Sequence, residues 1–150
     1  MSQDDSAAGG PSRDPGADES LSEAFRSVAR RLRESSHEAL APWDITPSAF
    51  RALRILGRDG AMRLSELSEH LRIAPRSVTE VADTLEARGL AERRPDPADR
   101  RATLVGLTEH GASVLDAIRA ARGTEAERFF GKLSATDRAN LARILRKLRD

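Results

Sequence analysis

Two clusters of polar side chains in this chain have the chemistry needed to contact a nucleic acid. The first cluster combines a guanidinium, two hydroxyls and a carboxylate, and the second combines three guanidinium groups with a carboxylate. Guanidinium groups fork onto phosphate oxygens and guanine edges, and hydroxyls can bond to phosphates or bases. The clusters are Arg76, Ser77, Thr79 and Glu80, and then Arg94, Asp99, Arg100 and Arg101.

The first cluster lies on a predicted helix that follows a shorter one. Pro75 at the first helical position and Gly89 just past the end bound this helix. Its apolar residues recur at helical spacing and are Val78, Val81, Ala82 and Leu85. The shorter helix is predicted to be capped by Ser65 and to bury Leu67 and Leu71. The polar cluster is therefore left on the outer face of the second helix.

The second cluster lies at the tip of a predicted β-hairpin. Residues 90–94 and 102–107 have the composition of short strands, and the connection 95–101 is rich in proline and aspartate. A helix has the right size to enter the major groove of DNA, and an arginine-tipped ribbon can reach the backbone or minor groove beside it. The order of two helices and then a hairpin predicts a DNA-binding regulator.

The position of each polar residue predicts its role on DNA. Arg76 begins the second helix, where helix-turn-helix proteins place residues that face base edges, so we assign it direct readout. Ser77 and Thr79 either contact bases or phosphates or bond to the local backbone.

The hairpin residues are also assigned roles from their positions. Arg100 and Arg101 are expected to insert into or straddle the minor groove, and Asp99 is expected to orient a guanidinium. Arg93 and Arg94 either contact phosphates or form a solvated strand end.

The remainder of the chain is predicted to be helical. Pro42 ends the first helix, Gly57 and Gly60 close the second, and Thr108 caps a later one. The amphipathic ranges are 20–41, 47–60, 108–131 and a last helix after the near capping box at 134–137.

The predicted fold is mainly α with a small β-hairpin wing, a winged helix-turn-helix head with long terminal helices. Residues 46–107 form the head, and residues 1–19 form an acidic, disordered tail. The terminal segments 20–41 and 108–150 are more apolar than a lone head requires, which indicates an interface. We therefore expect a homodimer that matches a palindromic site on double-stranded DNA.

Composition narrows the alternatives. Of 150 residues, 39% are apolar, 3% are aromatic and none is cysteine, so disulfides, thiolate metal sites and a cysteine redox switch are excluded. Residues 1–20 carry −4 and the remaining 130 carry +5 of the formal +1, and 23 of the 25 basic residues are arginine. No apolar run is long enough to span a bilayer, and no signal-type segment begins the chain, so we expect a cytoplasmic protein with no membrane partner. We expect no metal and no cofactor.

The segment from Leu64 to Gly111 resembles the MarR family of winged-helix transcription regulators. The match consists of LSEL-x-x-x-L, SVTEVADTLEARGL, R-x-x-x-x-x-DRR and V-x-LTEHG in this order. The resemblance extends over about residues 20–150, where the outer helices match in length and amphipathicity. It implies a triangular homodimer joined through terminal helices, which represses transcription and releases DNA when a small aromatic or phenolic ligand binds.

Glu80 departs from the family pattern, in which many members have arginine after the Ser-Val-Thr run. A carboxylate there either accepts from cytosine N4 or pairs with Arg76 one turn earlier. We favour the pairing role.

A ligand cleft between terminal helices and head is expected to be lined by His37, Trp43, Phe50 and Arg54. For Trp43 we favour a core or interface position over ligand contact. For His37 we favour a partly exposed helix position over an ion pair with a carboxylate ligand.

Two other classes of function compete with DNA binding. An enzyme is disfavoured, because the sequence has no Gly-rich phosphate loop, HExxH motif or nucleophile elbow. A winged helix used only for protein contact is disfavoured by the arginine-tipped wing.

Overall fold

A computed structural model describes residues 19–149 of the chain. It contains six α-helices, three strands and a short 3-10 helix in these residues. The helices are α1 (Leu21–Glu38), α2 (Pro47–Asp59), α3 (Leu64–Leu71), α4 (Pro75–Ala87), α5 (Glu109–Phe130) and α6 (Ala135–Arg149), with the 3-10 helix at Ala41–Trp43. The strands are β1 (Met62–Arg63), β2 (Ala91–Asp96) and β3 (Asp99–Leu107). The predicted fold class is confirmed, whereas the predicted acidic tail lies almost entirely outside the described residues.

The core lies where α2, α3 and α4 pack against the sheet and the first half of α5. Leu53, Leu67 and Leu71 are almost completely buried there, together with Leu85 and Ile118. Apart from the buried Phe50, mainly aliphatic side chains fill this core, as the composition predicts. The core fixes α4 and the hairpin to a common frame.

Most helix starts follow the predicted capping chemistry. The Thr46 hydroxyl accepts a bond of 3.2 Å from the Ala49 amide, and Pro47 occupies the first position of α2. Pro75 opens α4 in the same way. Gly89, with φ of 68°, supplies the left-handed residue after α4.

Three predicted boundaries were wrong. Arg63, not Ser65, is the cap of α3, because the Glu66 carboxylate accepts from the Arg63 amide at 2.8 Å. The first helix ends at Glu38 and Pro42 lies in the 3-10 helix, where proline costs no helical hydrogen bond. Gly57 lies inside α2, and Gly60 alone ends that helix.

The hairpin is longer than predicted and has a third strand beside it. The sheet order is β1-β3-β2, entirely antiparallel, and β1 pairs Met62 with Val105. Strand β2 continues through Pro95, since an edge strand tolerates a residue without an amide hydrogen. Only residues 97–98 form the turn. Asp99, predicted to belong to the connection, therefore begins β3.

The start of α5 is packed tightly against the hairpin. The Thr108 hydroxyl donates to the Gly89 carbonyl at 2.6 Å and accepts from the Gly111 amide at 2.9 Å. A Cβ at position 111 would lie 1.9 Å from the Leu90 carbonyl oxygen. The glycine of the LTEHG motif is thus required for close contact between α5 and the start of the wing.

The terminal helices have little of their own surface covered. Neither α1 nor α6 contains a buried residue, and Leu21 and Leu148 are 87% and 74% exposed. Other large apolar side chains exposed on these helices are Phe25, Val28, Ile144 and Leu145. None of the described helices is long and apolar enough to cross a membrane.

Candidate DNA-binding interface

Helix α4 presents a polar face away from the core. Arg76, at the second position of this helix, has a side chain that is 92% exposed. Its Nε lies 3.6 Å from Oε1 of Glu80 one turn later. The structure therefore contains the Arg76–Glu80 pair considered from the sequence. An exposed pair of this kind adds little stability but restricts where the guanidinium can point.

The two hydroxyls on this helix have different surroundings. Thr79 Oγ1 donates to the Pro75 carbonyl at 3.0 Å, so its hydrogen is used within the helix, and its lone pairs remain exposed. Ser77 is half-buried and lines a shallow cleft of about 330 Å³ between α4 and the start of α2. The side chain of Thr79 is thus more accessible to a ligand approaching α4 than that of Ser77.

The arginines near the hairpin turn are exposed and lie at the outer end of the sheet. Arg100 and Arg101 are the second and third residues of β3. Neither side chain makes an ion pair or hydrogen bond with any other described residue. Successive strand residues point to opposite faces, so the two guanidinium groups straddle the ribbon. Two uncompensated positive charges at this position can meet two phosphates or enter a groove.

Asp99 orients a guanidinium, but one from another element. Its Oδ2 lies 3.5 Å from Nη2 of Arg63, and the same Arg63 nitrogen lies 3.0 Å from Oδ2 of Asp96. Asp99 Oδ1 also accepts from the Arg101 amide at 3.0 Å. These contacts tie the turn of the wing to β1, a residue pairing that the sequence interpretation did not include.

Asp96 is the closer of the two carboxylates that pair with Arg63. Its side chain is only 12% exposed. The Ala98 amide and the Arg63 guanidinium both bond to it, and they hold the pKa of the Asp96 carboxyl below its usual range. The carboxylate is therefore charged near neutral pH, and it connects the wing turn to Arg63 of β1.

Arg93 makes an internal ion-pair network. Its Nη2 lies 2.6 Å from Oδ1 of Asp83, and its Nη1 donates to the Glu86 carboxylate. The bond to Asp83 is the main reason that the pKa of the Arg93 guanidinium lies above its usual value. Neither of the two sequence alternatives describes this arrangement. Arg93 instead joins the wing to α4, and Arg94 next to it is exposed, 3.8 Å from Glu92.

Arg88 connects the other end of α4 to the junction between α1 and α2. Its guanidinium donates to the carbonyls of Trp43 and Asp44. Asp44 has φ of 48°, in the left-handed region that aspartate tolerates. The end of α4 and the end of the 3-10 helix are thus held together by one side chain.

A second candidate site lies between α1, α2 and α5. It is a cavity of about 540 Å³ lined by His37, Phe50 and Arg54, three of the four predicted ligand residues. Arg122 stacks over the Phe50 ring at 4.7 Å, in cation–π geometry. Burial, aided by the nearby Arg54 charge, lowers the pKa of the Arg122 guanidinium. The lining of this cavity also includes two further cationic side chains, Arg33 and Arg51.

Trp43 does not line this cavity. It packs against the core and borders a separate cleft of about 360 Å³ with Pro42 and Thr124. Trp43 lies next to the junction of α1 and α2, as the sequence predicts. It borders a different cleft from the one that His37 lines.

Sequence reasoning missed the arginines whose partners are distant. Arg63, Arg88 and Arg122 contact residues that lie at least 33 positions away along the chain, and no local spacing indicates such partners. The only signal in the sequence was the alternation of acid and base around the hairpin, which shows that pairs exist without showing which.

A head with these elements, a helix pair followed by an arginine-bearing hairpin that packs on the second helix, is a winged helix-turn-helix. The family model described as the MarR family matches residues 45–103 of this chain. The uncharacterized HTH-type transcriptional regulator YkoM of Bacillus subtilis (strain 168) is 30% identical over 125 residues, 83% of this chain and 78% of that protein. The chain belongs to the MarR family and is a DNA-binding transcriptional regulator.

Other relatives agree with this membership. The repressor MdtR of Bacillus subtilis (strain 168) is 26% identical over 83% of this chain and 81% of its own length. A crystal structure of a mutant MarR from E. coli superposes with a TM-score of 0.77 at 27% identity, covering 88% of this chain and 98% of that one. The structure of BpsR from Bordetella bronchiseptica has a TM-score of 0.65 at 27% identity, covering 88% and 94%.

Proposed function

We propose that the chain acts as a homodimeric repressor that binds a palindromic operator and releases it when a small aromatic anion binds. The observation that carries the DNA-binding part is the pair of exposed, uncompensated arginines on the wing beside the polar face of α4. Other features of the chain and the names of its relatives support the dimer, the repressor role and the effector.

The apolar faces of α1 and α6 support the dimer. Leu21 and Phe25 on α1 and Leu148 on α6 would each remain in contact with water in a single chain. Covering a leucine or phenylalanine side chain contributes roughly 1.5–3 kcal/mol. Several such side chains on two helices form a surface that a second copy can cover with the same residues, as two-fold symmetry requires.

The proposed contacts on DNA follow from exposure and charge. Arg76 reads a base edge from the start of α4, held towards it by Glu80, and Thr79 accepts from or packs against the groove wall. Arg100 and Arg101 neutralise phosphates or enter the minor groove. Two-fold symmetry places the second α4 about one helical turn away along the duplex, roughly 34 Å.

Three further residues have lesser roles in this proposal. Arg94 is exposed in the middle of β2 and contacts a backbone phosphate. Asp99 acts by holding Arg63 and the wing turn and makes no contact with DNA. Ser77, half-buried in its cleft, contacts a phosphate only at the edge of the interface.

The arginine-rich cavity supports an anionic effector. The cavity is large enough for a small aromatic molecule, its apolar wall includes Phe50, and its cationic groups include Arg54 and Arg122. Desolvated guanidinium groups bind carboxylates bidentately, which makes an aromatic carboxylate or phenolate the best match. The DNA binding of BpsR is regulated by 6-hydroxynicotinic acid, a molecule of this class. His37 also lines the cavity, and Trp43 contributes through packing against the core.

The names of two relatives support repression. MdtR is named a repressor, as is NicR of Pseudomonas putida, which is 33% identical over 71% of this chain and 67% of its own length. A dimer that occupies a promoter excludes polymerase without a need for further activity.

Enrichment of duplexes from a random library tests the proposal. We expect a palindromic sequence to be enriched and to be shifted in a gel by the purified protein, with salicylate reducing the shift. Enrichment of no palindromic sequence would overturn the operator proposal, and an unaltered shift at saturating salicylate would overturn the effector class alone.

A further inference from the structure

Arg51 contacts both the arginine-rich cavity and the helix-turn-helix. It lies on the outer face of α2 and lines the cavity beside Arg54. Its Nη2 donates to the carbonyl oxygen of Leu71 at 2.8 Å, across 20 residues of sequence. Among the four arginines that line the cavity, Arg51 is the one whose side chain donates a hydrogen bond outside its own helix within the described residues.

Leu71 is the last residue of α3, so the bond from Arg51 caps the carboxyl end of this helix. The carbonyls of the last helical turn have no partner within the helix and require another donor. Arg72 follows in the left-handed region, with φ of 55°, and the turn continues to Pro75, where α4 begins. The Ser68 hydroxyl holds the same turn by donating to the Ile73 carbonyl at 2.7 Å. Two side-chain hydrogen bonds therefore hold the turn between α3 and α4.

We propose that Arg51 transmits occupancy of the cavity to α4, the recognition helix of the helix-turn-helix, by exchanging the Leu71 carbonyl for an anion. This inference rests on the proposed effector function. A carboxylate binds a guanidinium more strongly than a neutral carbonyl does, and it binds bidentately. Because the five N–H groups of arginine lie in one rigid plane, a bidentate contact turns the group that now faces Leu71. The α3 end then loses its donor, the turn loosens, and α4 is no longer held for DNA.

The other cavity arginines make different contacts. Arg33 donates from Nε to the Ala29 carbonyl at 3.3 Å, one turn earlier in α1. Arg122 lies over the Phe50 ring. Arg33 is thus a matched control: it contributes the same charge to the same cavity, and its hydrogen bond stays within its own helix.

The first test needs no effector. We expect Arg51→Ala to weaken operator binding on the order of 10-fold, with Arg51→Lys restoring most of it because lysine can still donate to Leu71. Arg33→Ala should leave operator affinity unchanged. The slope of log affinity against log salt separates positioning from direct phosphate contact: it stays constant if Arg51 acts on the turn, and flattens if Arg51 touches DNA. Unchanged affinity in Arg51→Ala, or a flattened slope, overturns the inference.

The second test uses salicylate as the probe. At saturating salicylate the wild type should lose operator affinity by a fixed factor, and Arg33→Ala should need more salicylate yet reach the same factor. Arg51→Ala should bind salicylate in a calorimetric titration while its factor falls towards one. An undiminished factor in Arg51→Ala overturns the inference alone. Failure of the wild type to bind salicylate refutes the effector proposal instead, and the effector-free test then decides the role of Arg51.

Amide hydrogen exchange gives a readout that does not depend on DNA. Faster exchange of the amides at 72–74 in Arg51→Ala, with unchanged exchange in the α2 interior, is expected if the Leu71 bond holds the turn. Equal exchange rates in the wild type and the variant contradict it. A melting temperature measured for each variant confirms that the chains compared are folded.

Discussion

The arginines of the wing provide the sharpest prediction, because two of them are free to meet DNA and a third is not. Arg100 and Arg101 make no ion pair within the described part of the chain, whereas Arg93 is held by Asp83 and Glu86. Replacing Arg100 and Arg101 by alanine should therefore remove phosphate contacts. Replacing Arg93 should loosen the attachment of the wing to α4 without removing such contacts.

The magnitude follows from counting charges. Each neutralised phosphate contributes about 0.9 to the slope of log affinity against log salt on B-DNA. Two arginines in each of two subunits make four contacts, so Arg100→Ala with Arg101→Ala should flatten the slope by roughly 3.6. Between about 50 and 200 mM salt, the variant should then lose about 150-fold less affinity than the wild type does.

Fluorescence anisotropy on a labelled operator duplex over a series of salt concentrations measures both slopes. The double variant should bind operator and random duplexes more weakly at low salt, because these contacts carry no sequence information. Arg93→Ala should weaken binding at every salt concentration while its slope changes by less than about one. An unchanged slope in the double variant, or the same flattening in Arg93→Ala, would refute the assignment of contacts made from exposure and pairing.

Three further predictions address specificity, assembly and packing. Arg76→Ala should cost about 1–3 kcal/mol of discrimination at one base position, measured by competition between operator and single-base variants; an equal loss on random DNA contradicts direct readout. Phe25→Glu with Leu148→Glu should give a monomer in sedimentation velocity with intact helical circular dichroism, and a persisting dimer contradicts the proposed interface. Gly111→Ala should lower the free energy of unfolding in urea by about 1–3 kcal/mol or more, because the alanine Cβ would collide with the Leu90 carbonyl oxygen. A wild-type unfolding midpoint would contradict the close contact.

Local signals predicted much of the fold. Thr46 with Pro47, and Pro75 at the start of α4, act through bonds and dihedral angles within a single helical turn, so their types alone identify the helix starts. Strand β1 was not predictable in this way. It has only two residues, and its pairing partner Val105 lies far along the chain, beyond α3, α4 and β2. The extension of the hairpin through Pro95 depends on β2 being an edge strand, which is a property of the whole sheet.

The candidate interface was predictable in position but not in pairing. The DRR tripeptide and the polar face of α4 indicate where DNA binds because they stand at the ends of recognisable elements. Which arginines are already compensated depends on carboxylates that folding brings near. Arg93 and Arg100 are the same residue type in the same hairpin, yet only Arg93 lies opposite Asp83 and Glu86.

The cavity shows the same limit. His37, Phe50 and Arg54 line one cavity because α1 and α2 face each other, which their apolar faces suggest. Trp43 lies shortly before Pro47 but borders a separate cleft with Pro42 and Thr124. Which cleft a side chain of this junction borders depends on how α5 packs there, and no local spacing indicates that packing.

Native mass spectrometry of the protein with its enriched duplex tests the central claim most directly. If two copies present paired recognition helices to one palindromic site, the complex contains two chains per duplex, and shortening the duplex to one half-site abolishes it. A complex of one chain with an asymmetric site, or no complex at low salt, would contradict the account.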